Sequence, residues 1–387
     1  MPPCAGTVVA AGSASSAVRT RLVGLDVARC LALLGMMATH VLDARTPDGD
    51  LATTQWLAGG RASALFAVLA GVSLALVSGR RVPMGGKDRL SVSLGILVRA
   101  VFVGLVGLFL GVLGTGIAVI LTYYGVVLLL ALPFLALRAR TLLGLAAAWA
   151  VLSPLVSQVV RPELPLRQFD SPAPEQLAEP GRLLGELLFT GYYPAFCWLA
   201  YALLGMGLGR LDLRPAGTAL RVAVVGLVVA VGATVVSWVA SAAAGFTGDD
   251  LAAIEGGMFG QTPLGEWRWL SVVAAHSTTP FDLLQTGGSA LLVIGACLLL
   301  AAGVDRLLGE AGVRVLAVLF GAGTATLTLY TLHVVMRTDE VWPAEEAASF
   351  RWHLLVLLWV GALLVAFGRR GPLEWLVGLL PRRIAGR

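Results

Sequence analysis

The sequence predicts an all-α protein, a polytopic transmembrane helix bundle of about 10 spans. Three observations carry that prediction. The 387 residues are 57% hydrophobic and 13% charged, with a mean hydropathy of +0.84, whereas a soluble globular chain carries about 25% charged residues. Apolar runs of bilayer-spanning length recur from end to end. Basic and acidic loops alternate between them, as expected when cytoplasmic loops hold the excess of Lys and Arg.

Residues 1–20 mix small, polar and apolar side chains with no compact apolar stretch before an A-x-A site. They are expected to form a disordered cytoplasmic tail rather than a cleaved signal. Residues 21–370 form the membrane domain. Its spans are expected near Leu22–Leu42, Arg61–Ser78, Leu90–Leu113, Ile117–Leu137, Thr141–Val160, Leu187–Leu208, Thr218–Ala243, Leu283–Leu300, Val313–Met336 and His353–Phe367. Only Gly114–Gly116 separates the third from the fourth, a tight hairpin turn. Residues 371–387 are expected to be a basic cytoplasmic tail.

Arg80, Arg81, Lys87 and Arg89 share one loop, and Arg138 and Arg140 the next loop on that side. Arg210, Arg214 and Arg221, then Arg306 and Arg314, then Arg369 and Arg370 continue the series. The alternate loops hold Asp43, Asp48 and Asp50, then Glu163, Asp170, Glu175 and Glu179, then Asp249, Asp250 and Glu255. Both termini are therefore expected in the cytoplasm, with the protein in the plasma membrane.

Composition also excludes classes. The net charge of +5 is spread over loops, so nucleic acid is not an expected partner. The four cysteines, Cys4, Cys30, Cys197 and Cys297, form no CxxC pair and indicate neither disulfides nor zinc. His40, His276, His333 and His353 show no ligand spacing, so no metal site is expected. No internal repeat is evident, which weighs against a transporter built on inverted repeats.

The first span carries the unusual chemistry. Leu22–Leu42 is long enough to cross a bilayer, yet contains Asp26, Arg29 and His40. An ionisable group at a span centre costs about 2.5–3.5 kcal/mol on insertion scales. Such groups persist where they pair, face a cavity or do chemistry. Asp26 and Arg29 are three apart and can neutralise each other. Arg29 and His40 are eleven steps apart, which returns to nearly the same face about 16 Å further along the axis. Arg99 sits in the cytoplasmic half of the third span, where it could hold an anion or snorkel to the interface.

Further polar residues gather near the outer ends of other spans. Tyr123 and Tyr124 lie in the fourth, Tyr192 and Tyr193 at the start of the sixth, readable as pocket residues or as an interfacial aromatic belt. The string AAHSTTPFDLLQTGG sets His276, Ser277, Thr278, Thr279 and Asp282 at the entry to the eighth. It is either a helix-entry turn or a re-entrant cavity wall. Tyr330 and His333 share a face near the outer end of the ninth.

An Arg, ten residues and a His in a first transmembrane helix resembles the acyltransferase-three family. The wider string LDVARCLALLGMMATH is more similar to the bacterial heparan-alpha-glucosaminide N-acetyltransferase-like integral membrane proteins of the same superfamily. It departs at Cys30, where that group usually has another small residue, Gly. The strings GRASALFAVLAGVSLAL, TYYGVVLLLALP, GYYPAFCWLAYALLGMGLGRLDL, AAHSTTPFDLLQTGGSALL, LTLYTLHVV and GPLEWLVGLL extend the resemblance along the chain. It implies an acyltransferase, with acetyl transfer first in view. The acyl group would pass from cytoplasmic acyl-CoA to a hydroxyl or amine of an extracytoplasmic saccharide or cell-envelope acceptor. No cofactor would be permanently bound; acetyl-CoA or another acyl-CoA would be the co-substrate. Membrane lipid would surround the chain, and a homodimer stays open.

An imidazole suits such chemistry, as general base or as acyl carrier. The expected catalytic residues are His40, His276 and His333. Arg29, Arg99 and Asp26 are expected at the donor, and Tyr124, Tyr193, Ser277, Thr278, Asp282 and Tyr330 around the acceptor. The alternative is a transporter or flippase of a small polar or lipid-linked substrate, which would also place ionisable groups inside spans.

Overall fold

The structure is a computed structural model describing residues 22–167, 171–338, 341 and 349–384. Among the described residues there is no β-strand, only an isolated antiparallel bridge between Arg45 and Leu51.

Helix α1, Val23–Val41, places Asp26 in its first turn and His40 in its last, each complementary to the helix dipole. Helix α2, Thr53–Ala58, leads through Gly60, at φ 69°, into α3, Arg61–Val77. Helix α4, Gly86–Gly111, is followed by an irregular stretch and by α5, Leu121–Ala131. Pro133 helps turn the end of α5 into a 3-10 segment, Leu132–Ala136. Helix α6 spans Ala139–Val160. Helix α7, Pro180–Gly185, runs into a π-turn, Glu186–Thr190, and α8, Ala195–Gly209, leaves it bent by 56°. Helix α9 is Ala216–Ala243 and α10 is Gly248–Ala253.

Helix α11, Pro280–Leu319, is two helices joined at Gly309, whose φ of 61° interrupts the helical path. A 3-10 turn, Gly321–Thr324, then precedes α12, Thr326–Met336. Helix α13, Ser349–Ala366, and α14, Pro372–Ile384, complete the chain.

Seven helical stretches among the described residues are long and apolar enough to cross a bilayer, eight with the bent α7–α8 pair. Two shorter apolar helices, Leu121–Ala136 and Thr326–Met336, stand where the fourth and ninth spans were expected. Hydropathy merged pieces here that the backbone breaks. Irregular backbone at membrane depth persists only where protein or a cavity satisfies it.

The interior is built on α1, α3, α5 and α8, whose side chains are largely buried. The outer helices α4 and α9 turn Val101, Phe109, Val228 and Val239 outward, as lipid-facing surfaces do. Close backbone approach depends on small residues. A Cβ at Gly288 of α11 would lie 2.6 Å from the Ala230 nitrogen of α9, and one at Gly295 2.6 Å from that of Ala223.

Two charged side chains fasten the end of the bundle nearest Arg29. Arg210 is buried and donates to the carbonyls of Ala75, Ser78, Arg80 and Leu135 and to the Ser78 hydroxyl. It thereby ties the end of α3 to the 3-10 segment after α5. Glu374 of α14 accepts from the Leu327 and Thr328 nitrogens at 2.7 and 3.2 Å and from the Thr328 hydroxyl at 2.6 Å. That carboxylate caps the N-terminus of α12. The segment expected as a basic tail thus contains a helix fixed to the bundle.

Candidate functional site

At the far end of α1, a cavity of about 340 Å³ is lined by His40, Thr39, Gln55, Tyr192, Tyr193, His276 and neighbouring small residues. The helix periodicity that put His40 and Arg29 on one face therefore brings His40 to a hollow. His40 and His276, more than two hundred residues apart in sequence, face the same space.

Behind His40 stands a row of imidazoles. Nδ1 of His40 lies 3.2 Å from Nε2 of His333, and the rings are nearly parallel at 5.4 Å between centroids. Nδ1 of His333 lies 2.9 Å from Nδ1 of His353. His333 and His353 are buried. A neutral imidazole has one N–H donor and one acceptor nitrogen. With a neutral His333 in the middle, both bonds must run the same way along the row. In one of the two arrangements Nδ1 of His40 donates to His333, leaving Nε2 of His40 with its lone pair.

The His276 wall is an irregular loop folded into the mouth of the bundle, and both alternatives open from sequence hold: Thr279 caps the helix entry before Pro280, and His276 lines a cavity. His276 and Thr278 have φ of 56° and 55°, a left-handed conformation that costs non-glycine residues about 1–3 kcal/mol each. Hydrogen bonds hold it there. The Gly260 nitrogen donates to the His276 carbonyl at 2.8 Å, and the Thr278 hydroxyl donates to the Gly260 carbonyl at 2.7 Å. Asp282 accepts from the Thr278 nitrogen at 2.9 Å, and the Thr279 hydroxyl caps α11 by accepting from the Asp282 nitrogen at 3.0 Å. The His276 ring packs edge-on against Tyr192 and Tyr193 at 4.9 and 5.5 Å, and its Nδ1 makes no hydrogen bond among the described residues. Burial pushes the imidazole down to about 4, so it is neutral at physiological pH.

At the other end of α1, a second cavity of about 520 Å³ is lined by Asp26, Arg29, Arg80, Arg81, Asp212 and Arg214, among others. Arg29 donates to Asp26 at 2.9 Å and to the Ser73 hydroxyl at 3.0 Å. Arg81 pairs with Asp212. Four guanidinium groups around one hollow suit phosphate groups, which they can bind in bidentate fashion. Between the two cavities the shared face of α1 is packed: Leu33 is fully buried, and Met36, 5% exposed, lines the inner side of the outer cavity.

The expected site residues thus separate by position. His40, His276 and Tyr193 line the outer hollow, while Asp26 and Arg29 line the inner one. His333 stands one ring behind His40. Tyr124, Tyr330, Ser277, Thr278 and Asp282 are buried scaffolding rather than lining. Tyr124 donates to the Ser63 carbonyl at 3.1 Å, and Tyr330 accepts from the Ile120 nitrogen at 3.4 Å. Arg99 is exposed on α4 and lines neither hollow.

Sequence reasoning missed His353, Gln55, Arg80, Arg81 and Arg214 as site residues. The four arginine and histidine positions were visible, but as loop charges or as the start of a span. No local pattern ties them to Arg29 or His40.

The fold and its histidine-lined hollow define a multi-pass membrane protein of transmembrane acetyltransferase type. The chain matches the family of the heparan-alpha-glucosaminide N-acetyltransferase catalytic domain over residues 21–238 and belongs to it. No curated protein matches the chain. The matched stretch contains α1 with His40 and the arginines of the inner hollow. His276, His333 and His353 lie beyond it.

Proposed function

We propose that the protein transfers an acetyl group from acetyl-CoA to a hydroxyl or amine of a saccharide or envelope acceptor across the plasma membrane. The observation that carries this is α1, which presents an arginine-lined hollow at one end and an imidazole on a second hollow at the other. With both termini cytoplasmic, the inner hollow receives the donor and the outer one the acceptor. Arg29, Arg80, Arg81 and Arg214 would hold the donor phosphates.

Nε2 of His40 then meets the reacting atoms. It acts as general base toward the acceptor, or as transient carrier of the acyl group; both roles need a neutral ring with a free lone pair. In either route the acceptor oxygen or nitrogen bonds to the acyl carbon, the carbon–sulfur bond breaks, and the proton lost by the acceptor ends on the CoA thiolate. His333 and His353 position the His40 ring and set its tautomer. The acyl arm must pass Leu33 and Met36, so the path opens only when these side chains move, and methionine is the more adaptable of the two.

Sealed vesicles of known orientation, given labelled acetyl-CoA on one side only, test this reading. Acetylation should require donor at the Arg29 end and disappear in His40→Ala. Equal transfer with donor at the His40 end would refute the direction, and a fully active His40→Ala the chemistry.

A transporter remains the second reading, favoured by the breaks in the α7–α8 pair and before α12. Counterflow of acceptor in proteoliposomes without any acyl-CoA would support it instead.

A further inference from the structure

A third hollow is larger than either of these two. It is a groove of about 760 Å³ between α9 and the α2–α3 junction, floored by α11. Its residues on α9 run from Ala230 to Ser241, about 16 Å along the helix axis. Val231, Val235 and Trp238 on that wall are about half exposed, so the groove lies open on the face that α9 turns to lipid. Its other end meets the acetyl-transfer hollow, because Gln55, Gly59 and Ala275 line both.

Where the two hollows meet, the lining becomes polar. The Gln55 amide donates to the Thr39 carbonyl at 3.2 Å, one residue before His40. Arg61 projects into the groove half-buried, with one guanidinium nitrogen donating to the Trp56 carbonyl. The rest of that guanidinium makes no hydrogen bond among the described residues. Asp282 interacts electrostatically with Arg61, but one oxygen of its carboxylate is already taken by the Thr278 nitrogen. A mainly apolar slot open to lipid, with the hydroxyls of Thr234, Ser237 and Ser241 along α9 and Glu255 at its rim, a cation where it meets the second hollow and an imidazole just beyond match the parts of one amphiphile in order. They are a chain, an anionic linkage and a nucleophilic headgroup.

We infer that the acceptor is lipid-anchored and enters sideways from the membrane leaflet at the His40 end, with its chain in the α9 groove and an anionic linkage at Arg61. This rests on the acetyl-transfer reading and narrows its acceptor class. A headgroup anchored this way reaches His40 at high local concentration, which a freely dissolved sugar does not.

Three acceptors sharing one head test the inference with the purified protein in nanodiscs: glucosamine on farnesyl phosphate, glucosamine 1-phosphate, and farnesyl glucosaminide without phosphate. The phosphate-linked farnesyl form should exceed the tailless sugar in kcat/KM by about tenfold or more, the scale set by apolar pocket contacts. Thr234→Trp, which fills the groove, should shrink that ratio, and Arg61→Gln should shrink the preference for the phosphate. Val231→Trp repeats the first test should Thr234→Trp misfold. Equal kcat/KM for tailed and tailless sugars would overturn the inference and leave acetyl transfer standing. If no acceptor is acetylated, the transfer reading fails instead, and a farnesyl phosphate bearing a photoreactive tail decides the groove by itself. Labelling of α9 that Thr234→Trp suppresses supports it; labelling elsewhere only overturns it.

Discussion

His353 shows how a single side chain gains its meaning from position. It begins the last span, two residues after Arg351, and no motif there marks it, yet it is the third ring in the row that starts at His40. If the row sets the tautomer of His40, His353→Phe should lower kcat by about 10²-fold, the lower end of general acid–base effects, with KM nearly unchanged. His353→Asn keeps a donor and an acceptor and should recover part of it. Steady-state kinetics in both variants checks this.

His276 makes a separate prediction from its burial. Its folded value lies near 4, below the ordinary value of about 6.5. Between those limits the unfolded chain binds the extra proton and the folded one does not, so stability falls as pH drops from 6.5 towards 4. Above 6.5 the group contributes no slope. Thermal unfolding at pH 7 and pH 4.5 should show a smaller acid loss in His276→Gln than in the wild type.

At the scale of elements, the first helix was the most legible. The spacing of Asp26, Arg29 and His40 predicted their shared face, and the hollows at its two ends contain them. The same spacing hides that Leu33 and Met36 fill the face between. Periodicity states direction, whereas packing depends on neighbours far away in sequence. Leu33→Trp should therefore stop acetyl transfer while leaving CoA binding at the arginine hollow, measured by calorimetry, within a few-fold of wild type.

The α11–α12 region was the least legible: the charged stretch from Asp305 to Arg314 marks the break at Gly309, but no charged residue marks the 321–324 turn inside the next apolar run. The cap on α12 comes from Glu374, 46 residues after Thr328, and no local signature announces it. Glu374→Ala removes a helix cap, an effect of about 0.5–2 kcal/mol. A lowered melting temperature together with reduced turnover is expected, since α12 carries His333 at its other end.

For the molecule as a whole, the alternation of loop charges predicts that the His40 end and the Arg29 end face opposite compartments. A cysteine placed at Asp48 and one placed at Gly86 should react with an impermeant maleimide from opposite sides. Reaction from the same side would remove the basis for a donor and an acceptor that never share a compartment. The all-α class and the membrane setting were readable from composition, the length of the apolar runs and the alternation of loop charge. The lateral groove was not, because its walls come from α2, α9 and α11 and consist of residues that any span contains.

On the acetyl-transfer reading proposed above, the row of three imidazoles would also act as a wire with a polarity. When His40 takes a proton at Nε2, its Nδ1 proton would move to His333 and the His333 Nδ1 proton to His353, which then holds both ring protons and the positive charge, and every hydrogen bond in the row points the other way. A second base event cannot start from that reversed state. Protonation of the departing thiolate by the same Nε2 draws each proton back one place and restores the first polarity. Base step and acid step then alternate at one terminal, and a complete acetyl transfer leaves the wire as it was found.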